Sequence, residues 1–133
     1  MLTPHMGEFA RLLGVDIETL QKNRLKLAED FAKEHELLLV LKDAATLVTD
    51  GVHTAILSAP CSALSRGGSG DLLAGLLAGL LASSRCENPF EAVKCGVWLH
   101  NRAAHLACED HSPRTLQPEV IAEYIDQAIK ELE

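Results

Sequence analysis

The sequence predicts an α/β protein in which helices cover a partly parallel sheet. Residues 37–41 are an uninterrupted apolar run flanked by charges, Asp50 and Gly51 separate two further apolar segments, and helical patterns lie on both sides of these strands. A short continuous apolar run is typical of a strand buried on both faces of a parallel sheet, and Asp-Gly is a strong hairpin signal. A helix is the alternative for residues 37–41, but that run is short for one.

The composition indicates one soluble domain. The chain has 133 residues, a hydrophobic content of 47% and a net charge of −7, with 12 Lys+Arg against 19 Asp+Glu. Because no basic cluster occurs, we expect neither a nucleic acid nor an anionic membrane as a partner. The cysteines lack C-x-x-C spacing and are expected to be reduced, mostly buried thiols: Cys61, Cys86, Cys95 and Cys108. Neither a secretory signal nor an apolar run of ~20 residues is present, so we expect a cytoplasmic protein.

The first half of the chain is predicted to hold two helices and three strands. A short helix over residues 8–13 ends at Gly14, and Asp16 is suited to cap a second helix that runs to about His35. Hairpin strands over residues 45–49 and 52–57 follow the buried strand. The inner face of the second helix is marked at helical spacing by Leu20, Leu27, Phe31 and His35.

The second half is predicted to be helical after a glycine-rich loop. The first of these helices, from about residue 70 to Ser84, is apolar nearly all round and should therefore be central. Its apolar residues are Leu72, Leu73, Leu76, Leu77, Leu80 and Leu81. Further helices are expected over residues 89–109 and 118–132, with Pro118 in a first turn.

The glycine-rich loop itself predicts an anion site. Glycines let backbone N–H groups converge on a ligand, and the N-terminus of the following helix adds a partial positive charge. The predicted phosphate-binding residues are Gly67, Gly68, Ser69 and Gly70. A carboxylate beside an anion site repels the ligand unless it has a chemical role there. Asp71 is therefore expected to take a proton or orient a hydroxyl. A glycine turn that only permits tight packing is the alternative.

Two further polar clusters follow predicted strand ends, where ligands bind in open α/β sheets. They are residues 3–5, with His5, and residues 42–46, with Lys42 and Thr46. Lys42 would reach a phosphate or extend into solvent, and Thr46 would bond a ligand or only form a strand. His5 would face a ligand or lie in a surface loop. The remaining histidines show no metal-like spacing, so no metal site is predicted, and structural roles are expected for His100 and His105.

These clusters resemble the nucleotide-dependent NAD(P)H-hydrate dehydratases of the ribokinase-like superfamily. Residues 3–12, Thr-Pro-His-Met-Gly-Glu-Phe-Ala-Arg-Leu, are similar to the family's Thr-Pro-His-Pro-Gly-Glu-Phe. Residues 40–46, Val-Leu-Lys-Asp-Ala-Ala-Thr, resemble its Leu-Lys-Gly-x-x-Thr, and residues 67–79 its Gly-Gly-Ser/Thr-Gly-Asp-Val-Leu-Ala-Gly. The resemblance implies a ribokinase-like three-layer α/β/α fold, with residues 1–133 as the C-terminal half of the domain, carrying a partly parallel sheet plus an antiparallel hairpin.

The resemblance implies a lyase of metabolite repair that uses ADP or ATP, with Mg²⁺, to dehydrate hydrated NADH or NADPH. In the family, the hydroxyl on the damaged nicotinamide ring is taken to be phosphorylated and then expelled. By resemblance, Asp71 contacts that hydroxyl as catalytic base and His5 contacts the hydrated dinucleotide. The implied nucleotide-binding residues are Lys42, Asp43, Ala44, Ala45, Thr46 and Gly70, and the implied anion hole is Gly67, Gly68, Ser69 and Gly70.

Three residues depart from the family pattern. Met6 stands in place of Pro, Asp43 in place of Gly, and Arg66 in place of a small residue. Asp43 would repel a phosphate or resist a positive φ, whereas Arg66 would add a cation beside the phosphates. The motifs all belong to the C-terminal half of the family domain, which implies a homo-oligomer or association with an N-terminal half. A small-molecule kinase of the same superfamily and a non-catalytic nucleotide-binding or oligomerisation module stay open as alternatives.

Overall fold

Helices accompany a three-stranded sheet in the first part of the chain, and the regular elements described in the second part are all helices. The structure is a computed structural model that describes residues 1–83 and 86–133. The chain divides into two units, Met1–Ser58 and Ala59–Glu133. Across the described residues, no helix is both long enough and apolar enough to cross a membrane.

The first two helices follow the capping signals of the sequence. Helix α1 (Met6–Leu13) ends at Gly14, whose φ of 68° is left-handed, and helix α2 (Ile17–Glu34) begins after Asp16. The Asp16 Oδ1 accepts a hydrogen bond from the Thr19 N–H at 2.8 Å. Both predicted helices are therefore confirmed. Helix α1 starts at Met6 instead of residue 8 because the side chain of His5 caps it.

The core of this unit forms where α1 and α2 meet. Phe9 and Phe31 pack edge to face with ring centroids 5.2 Å apart, and Leu20 is fully buried. Leu27 packs against the same cluster. The prediction of an inner-face position is wrong for His35, which is exposed at the C-cap because α2 ends one residue earlier, although its ring lies 4.4 Å from the Phe31 ring.

The sheet is an antiparallel meander of β1 (Leu39–Leu41), β2 (Ala45–Thr49) and β3 (Thr54–Ser58), in that order. All residues of β1 are buried, which confirms the strand predicted from the apolar run, shortened to its last three residues. In the part of the chain that is described, parallel pairing consists of two bridges, Leu2 with Leu39 and His5 with Lys42. On one side β1 pairs with β2 in antiparallel orientation, and on the other side it makes only these isolated parallel bridges. The sheet is thus less parallel than the apolar run indicated.

The hairpin between β2 and β3 has a longer turn than the Asp-Gly signal predicts. Thr49 pairs with Thr54, so residues 50–53 form the turn and Val52, predicted to begin a strand, is exposed within it. The Asp50 Oδ1 accepts hydrogen bonds from the N–H groups of Val52 and His53 at 2.8 and 2.6 Å. This carboxylate holds the four-residue turn closed, which an Asp-Gly pair by itself does not require.

Carboxylates that accept backbone hydrogen bonds should make the stability of this unit depend on pH. The N–H of His5 lowers the pKa of Glu8, and the N–H and hydroxyl of Thr19 lower the pKa of Asp16. Burial raises the pKa of Asp50, but the donors of its own turn outweigh burial and the net shift is downward. A pKa that is lower in the folded state than in the unfolded state stabilises the fold above the ordinary carboxylate range, and this stabilisation disappears as pH falls.

We therefore expect the urea concentration at the midpoint of unfolding to decrease as the pH is lowered from about 5 to about 3. Urea titrations across that range measure it. A variant with Asp16→Asn and Asp50→Asn should show a flatter decline, and an equally steep decline in that variant would contradict the assignment.

The second unit is built around one long helix. A short 3-10 helix (Ser62–Ser65) precedes α3 (Ser69–Ala82), which is followed by α4 (Pro89–Asp110). Both long helices match their predictions, except that Ser84, predicted as the end of the first, lies outside the described residues. The predicted last helix is wrong as a single element: α5 (Pro118–Glu123) and α6 (Ile125–Lys130) are separated at Tyr124, whose hydroxyl donates to Asp110 Oδ2 at 2.8 Å.

Helix α4, and not α3, is the central helix of this unit. In α3 the buried residues are Ser69, Leu73 and Leu77, whereas Gly75 and Gly79 are exposed. The prediction that α3 is central is wrong because the helix covers one face against α4 and leaves its other leucines half-buried. The buried residues of α4 include Leu99, Ala103, Ala104, Leu106 and Ala107.

A glycine sets the close approach of α3 and α4. A Cβ at Gly96 would lie 2.5 Å from Leu77 Cδ2 and 2.8 Å from Leu80 Cδ1. We expect Gly96→Val to lower the free energy of unfolding by about 2 kcal/mol, as measured by urea denaturation, because the leucine side chains must move. The matched control is Gly75→Ala, at an exposed α3 position with open space, which should raise stability by ~0.5–1 kcal/mol. Equal midpoints for Gly96→Val and the unaltered chain would contradict this account.

Candidate functional site

The two polar clusters of the first unit lie side by side along the edge of β1 that β2 does not cover. The segment of residues 2–5 runs parallel to β1, and the N–H of Lys42 donates to the carbonyl of Pro4 at 2.9 Å. His5 and Lys42 are therefore neighbours across a bridge, one at the start of α1 and the other directly after β1. The sequence indicated that both belong to strand ends, and the fold brings them together. Their binding roles stay predictions.

His5 forms a capping box with Glu8 at the start of α1. Its Nδ1 accepts a hydrogen bond from the Glu8 N–H at 3.2 Å, and its own N–H donates to Glu8 Oε2 at 2.8 Å. An accepting Nδ1 places the proton of the neutral ring on Nε2, which lies 3.4 Å from Glu8 Oε1. The exposed Nε2–H can donate to an anionic ligand that displaces Glu8. The cap thus fixes the ring, a function that sequence reasoning did not assign to it.

Asp43 is accommodated in its loop by a charge partner. Its Oδ2 lies 3.0 Å from Arg24 Nη1, and its Oδ1 accepts from the Ala44 N–H at 2.8 Å. Among the described residues, Glu36 is the one non-glycine position with a positive φ, so the backbone at Asp43 does not require glycine. The ion pair offsets the repulsion that Asp43 would exert on a phosphate. Thr46, a half-buried residue near the start of β2, donates its hydroxyl weakly to the Asp43 carbonyl at 3.4 Å.

In the second unit, the glycine-rich loop leads directly into α3. Gly68 is the N-cap with a φ of 90°, a left-handed conformation that favours glycine, and a Cβ there would lie 3.2 Å from Pro118 Cγ. Ser69 is buried, and its Oγ lies 3.4 Å from His100 Nε2. Its N–H donates to the Arg66 carbonyl at 3.3 Å. The hydroxyl of Ser69 therefore contacts the interior of the unit, and its part in an anion hole stays a prediction.

The other N–H groups of the loop are available to a ligand. Within residues 1–83 and 86–133, the backbone N–H groups of Gly67, Gly68, Gly70 and Asp71 have no acceptor. They surround the N-terminus of a 14-residue helix, where unpaired N–H groups and the helix dipole favour an anion. The Asp71 side chain is exposed in the first turn of this helix. The arrangement can hold a phosphate and can present a carboxylate base beside it.

His100 lies beneath this loop and contacts Ser69. The sequence did not indicate that contact. It is 5% exposed and lies on the buried face of α4, in line with Val93, Val97 and Ala104. A histidine in an apolar helical stripe requires a polar partner, and that pattern is the signal that could have indicated one. The contact with Ser69 supports the structural role expected for His100. His105, on another face, has its Nε2 3.3 Å from the Ala59 carbonyl.

Comparison with known proteins finds one family along almost the entire chain. A family model described as NAD(P)H-hydrate dehydratase matches residues 1–127. The chain is 34% identical over 134 residues to the ADP-dependent (S)-NAD(P)H-hydrate dehydratase of Bacillus subtilis, covering 100% of this chain and 48% of the relative. It is 38% identical over 117 residues to the bifunctional NAD(P)H-hydrate repair enzyme Nnr of Vibrio cholerae, covering 87% of this chain and 23% of the relative.

Solved structures share the fold. A Bacillus subtilis ADP/ATP-dependent NAD(P)H-hydrate dehydratase, co-crystallised with ATP/Mg²⁺ and soaked with CoA, matches with a TM-score of 0.90 and 34% identity over 99% of this chain and 48% of its own. A ribokinase-like superfamily protein of Enterococcus faecalis matches with a TM-score of 0.77 at 23% identity, over 96% of this chain and 43% of its own. These likenesses confirm the predicted ribokinase-like α/β fold. The chain spans about half or less of the length of these proteins.

Proposed function

The chain belongs to the NAD(P)H-hydrate dehydratase family, and on this premise we propose that it is the C-terminal half of an enzyme that dehydrates hydrated NADH or NADPH with ADP or ATP. The start of α3 supports this proposal most directly. The unpaired N–H groups of Gly67, Gly68 and Gly70 lie directly before the exposed carboxylate of Asp71, at the N-terminus of α3.

This arrangement suits phosphorylation of an alcohol followed by loss of phosphate. The N–H groups would stabilise the charge on the transferred phosphoryl group, and they need no reorganisation to do so. Asp71 would take the proton of the substrate hydroxyl as its oxygen attacks the terminal phosphorus of the nucleotide. The bond from that phosphorus to the rest of the nucleotide breaks, and the hydroxyl becomes a phosphate ester. The ester then leaves as inorganic phosphate while the neighbouring ring carbon loses a proton to water, which restores the ring double bond.

The first unit would supply the nucleotide and dinucleotide contacts. Lys42 directly follows β1 and lies beside His5, so an ammonium and a ring N–H are available at one sheet edge. The backbone of residues 43–46 would contact the nucleotide, and Arg24 keeps the Asp43 carboxylate paired. The Nε2–H of His5 would donate to the hydrated dinucleotide.

We propose that Mg²⁺ enters with the nucleotide. Within the described residues, no group of three or more His, Cys, Asp or Glu side chains could hold a metal ion. Mg²⁺ commonly keeps several waters and binds through nucleotide phosphates, which suits a loop whose one carboxylate is Asp71. The ion would neutralise phosphate charge during transfer.

The remaining length of the relatives indicates what else the activity needs. The Bacillus subtilis relative has about as much chain outside the matched region as within it. We propose that residues equivalent to those complete the substrate pocket, from the same chain, an associated chain or a homo-oligomer, and that the enzyme works in the cytoplasm.

A chimaera tests the proposed function. This chain is joined to the part of the Bacillus subtilis dehydratase that it does not match, and the conversion of hydrated NADH to NADH is followed spectroscopically with and without ADP or ATP. We expect nucleotide-dependent conversion. Nucleotide-dependent phosphorylation of other alcohols without dehydration would indicate the kinase alternative, and nucleotide binding without turnover would indicate a non-catalytic module. Either outcome would overturn the proposal.

A further inference from the structure

Two cysteine side chains meet between the loop before the 3-10 helix and the end of α4. The Sγ atoms of Cys61 and Cys108 are 3.8 Å apart, although the residues are separated by 47 positions in the sequence. Both side chains are half-buried, and both are free thiols. From this geometry we propose that Cys61 and Cys108 are a redox modification site that forms a reversible intramolecular disulfide.

The backbone around both cysteines already holds them opposite each other. His105 lies three residues before Cys108 and so shares its helix face, and its Nε2 is 3.3 Å from the carbonyl of Ala59, two residues before Cys61. On the other side of Cys61, Ala63 is buried in the apolar cluster that includes Leu106 and Ala107 of α4. A disulfide bond of about 2.05 Å then requires a shift of under 2 Å between the sulfurs, which side-chain rotation can supply.

The order of the chemical steps follows from the environment of the thiols. Burial, and then the neighbouring Cys61 sulfur, raise the pKa of the Cys108 thiol, so Cys108 retains its proton more firmly than an ordinary cysteine. We assign Cys61, which lies in the loop before the 3-10 helix and not within α4, as the attacking group. With a small-molecule disulfide such as oxidised glutathione, the Cys61 thiolate attacks one sulfur, forms a mixed disulfide and releases one glutathione thiolate.

The second step closes the protein disulfide. Cys108 loses its proton and attacks Cys61 Sγ, the bond between Cys61 and glutathione breaks, and the second glutathione leaves. In total the two protein thiols lose two protons and two electrons, and one oxidised glutathione becomes two reduced glutathiones. A thiol reductant reverses both steps.

The disulfide would link the segment that precedes the glycine-rich loop covalently to α4. Residues 61–108 would form a closed ring that contains Gly67, Gly68, Gly70 and Asp71. The 3-10 helix (Ser62–Ser65) lies between the bridge and this loop. Oxidation would thus restrain the segment that precedes the loop, and reduction would release it.

Peptide mapping of the oxidised chain gives a direct test. Trypsin places each cysteine in its own peptide, since cleavage after Lys42, Arg66, Arg85, Lys94, Arg102 and Arg114 separates all four. After treatment with oxidised glutathione and alkylation of free thiols, we expect peptide 43–66 linked to peptide 103–114, with Cys86 and Cys95 alkylated. A link between other peptides, a link between two chains, or a lasting glutathione adduct on Cys61 would overturn the proposal.

Thermal unfolding gives a second measurement. The oxidised chain should unfold roughly 5–15 °C higher than the reduced chain, and dithiothreitol should reverse the increase. Cys108→Ser should abolish the increase, whereas Cys95→Ser, a half-buried cysteine in the same apolar cluster, should retain it. An equal Tm for the oxidised and reduced unaltered chain would count against the site, whether or not the chain binds a nucleotide.

Discussion

Replacing Asp71 with asparagine should lower nucleotide-dependent dehydration by about 10²–10⁴-fold, measured as kcat of the chimaera with hydrated NADH. The side chain is exposed, so the isosteric amide is not expected to disturb α3. An amide cannot take the proton of the substrate hydroxyl, and this proton transfer is the role proposed for Asp71. Removal of a negative charge beside the unpaired N–H groups should leave nucleotide affinity unchanged or increase it.

This separation of kcat from binding distinguishes a catalytic role from a structural one. Glu119→Gln is the matched control, because Glu119 is also an exposed carboxylate in the first turn of a helix of the same unit. It should leave kcat within about twofold of the unaltered chimaera, as expected for a surface residue. Retention of most of the activity in Asp71→Asn, in a chimaera that is otherwise active, would assign the base to another group.

Gly51→Ala should lower the free energy of unfolding by about 3 kcal/mol or more, as measured by urea denaturation. Gly51 has a φ of 86°, and a Cβ there would lie 2.6 Å from both the N and the Cα of Lys33 in α2. A left-handed non-glycine residue costs about 1–2 kcal/mol, and the clash with helix backbone adds the cost of displacing α2 from the hairpin. Backbone atoms cannot rotate away as the end of a side chain can.

Gly14→Ala isolates the contribution of the clash. Gly14 also has a positive φ, 68°, but its Cβ would meet nothing within 4 Å. This variant should lose only the conformational part, about 1–2 kcal/mol. Equal losses for the two variants would show that the hairpin and α2 adjust to one another without cost.

The contact between the hairpin and α2 also shows why the turn differs from its prediction. The Asp-Gly signal describes the preference of two residues, and Gly51 does adopt the left-handed conformation that the signal requires. The bonds of Asp50 to Val52 and His53, and that of Thr54 to Glu29 Oε1 at 2.7 Å, then determine how long the turn is. The last of these bonds joins residues 25 positions apart, so no local pattern contains it.

The same limit applies to the candidate site. The sequence predicted a phosphate-binding loop, with Asp71, Lys42 and His5, from residue type and order. The cap that His5 makes with Glu8 lies within three residues and was open to prediction, whereas the pairing of Asp43 with Arg24 spans 19 residues. The burial of Ser69 against His100 spans 31. These longer contacts decide which polar atoms stay available to a ligand.

The sequence by itself determined the family, the starts of α2 and α4, and the buried strand after α2. Those features depend on side chains that act within about four residues of one another, or on motifs that are read residue by residue. Only the tertiary structure decided that α4 is central in place of α3, that the last helix divides at Tyr124, and that Cys61 meets Cys108. Helix α3 is apolar on nearly every face, so its sequence cannot specify which face is covered, and packing against α4 makes that choice.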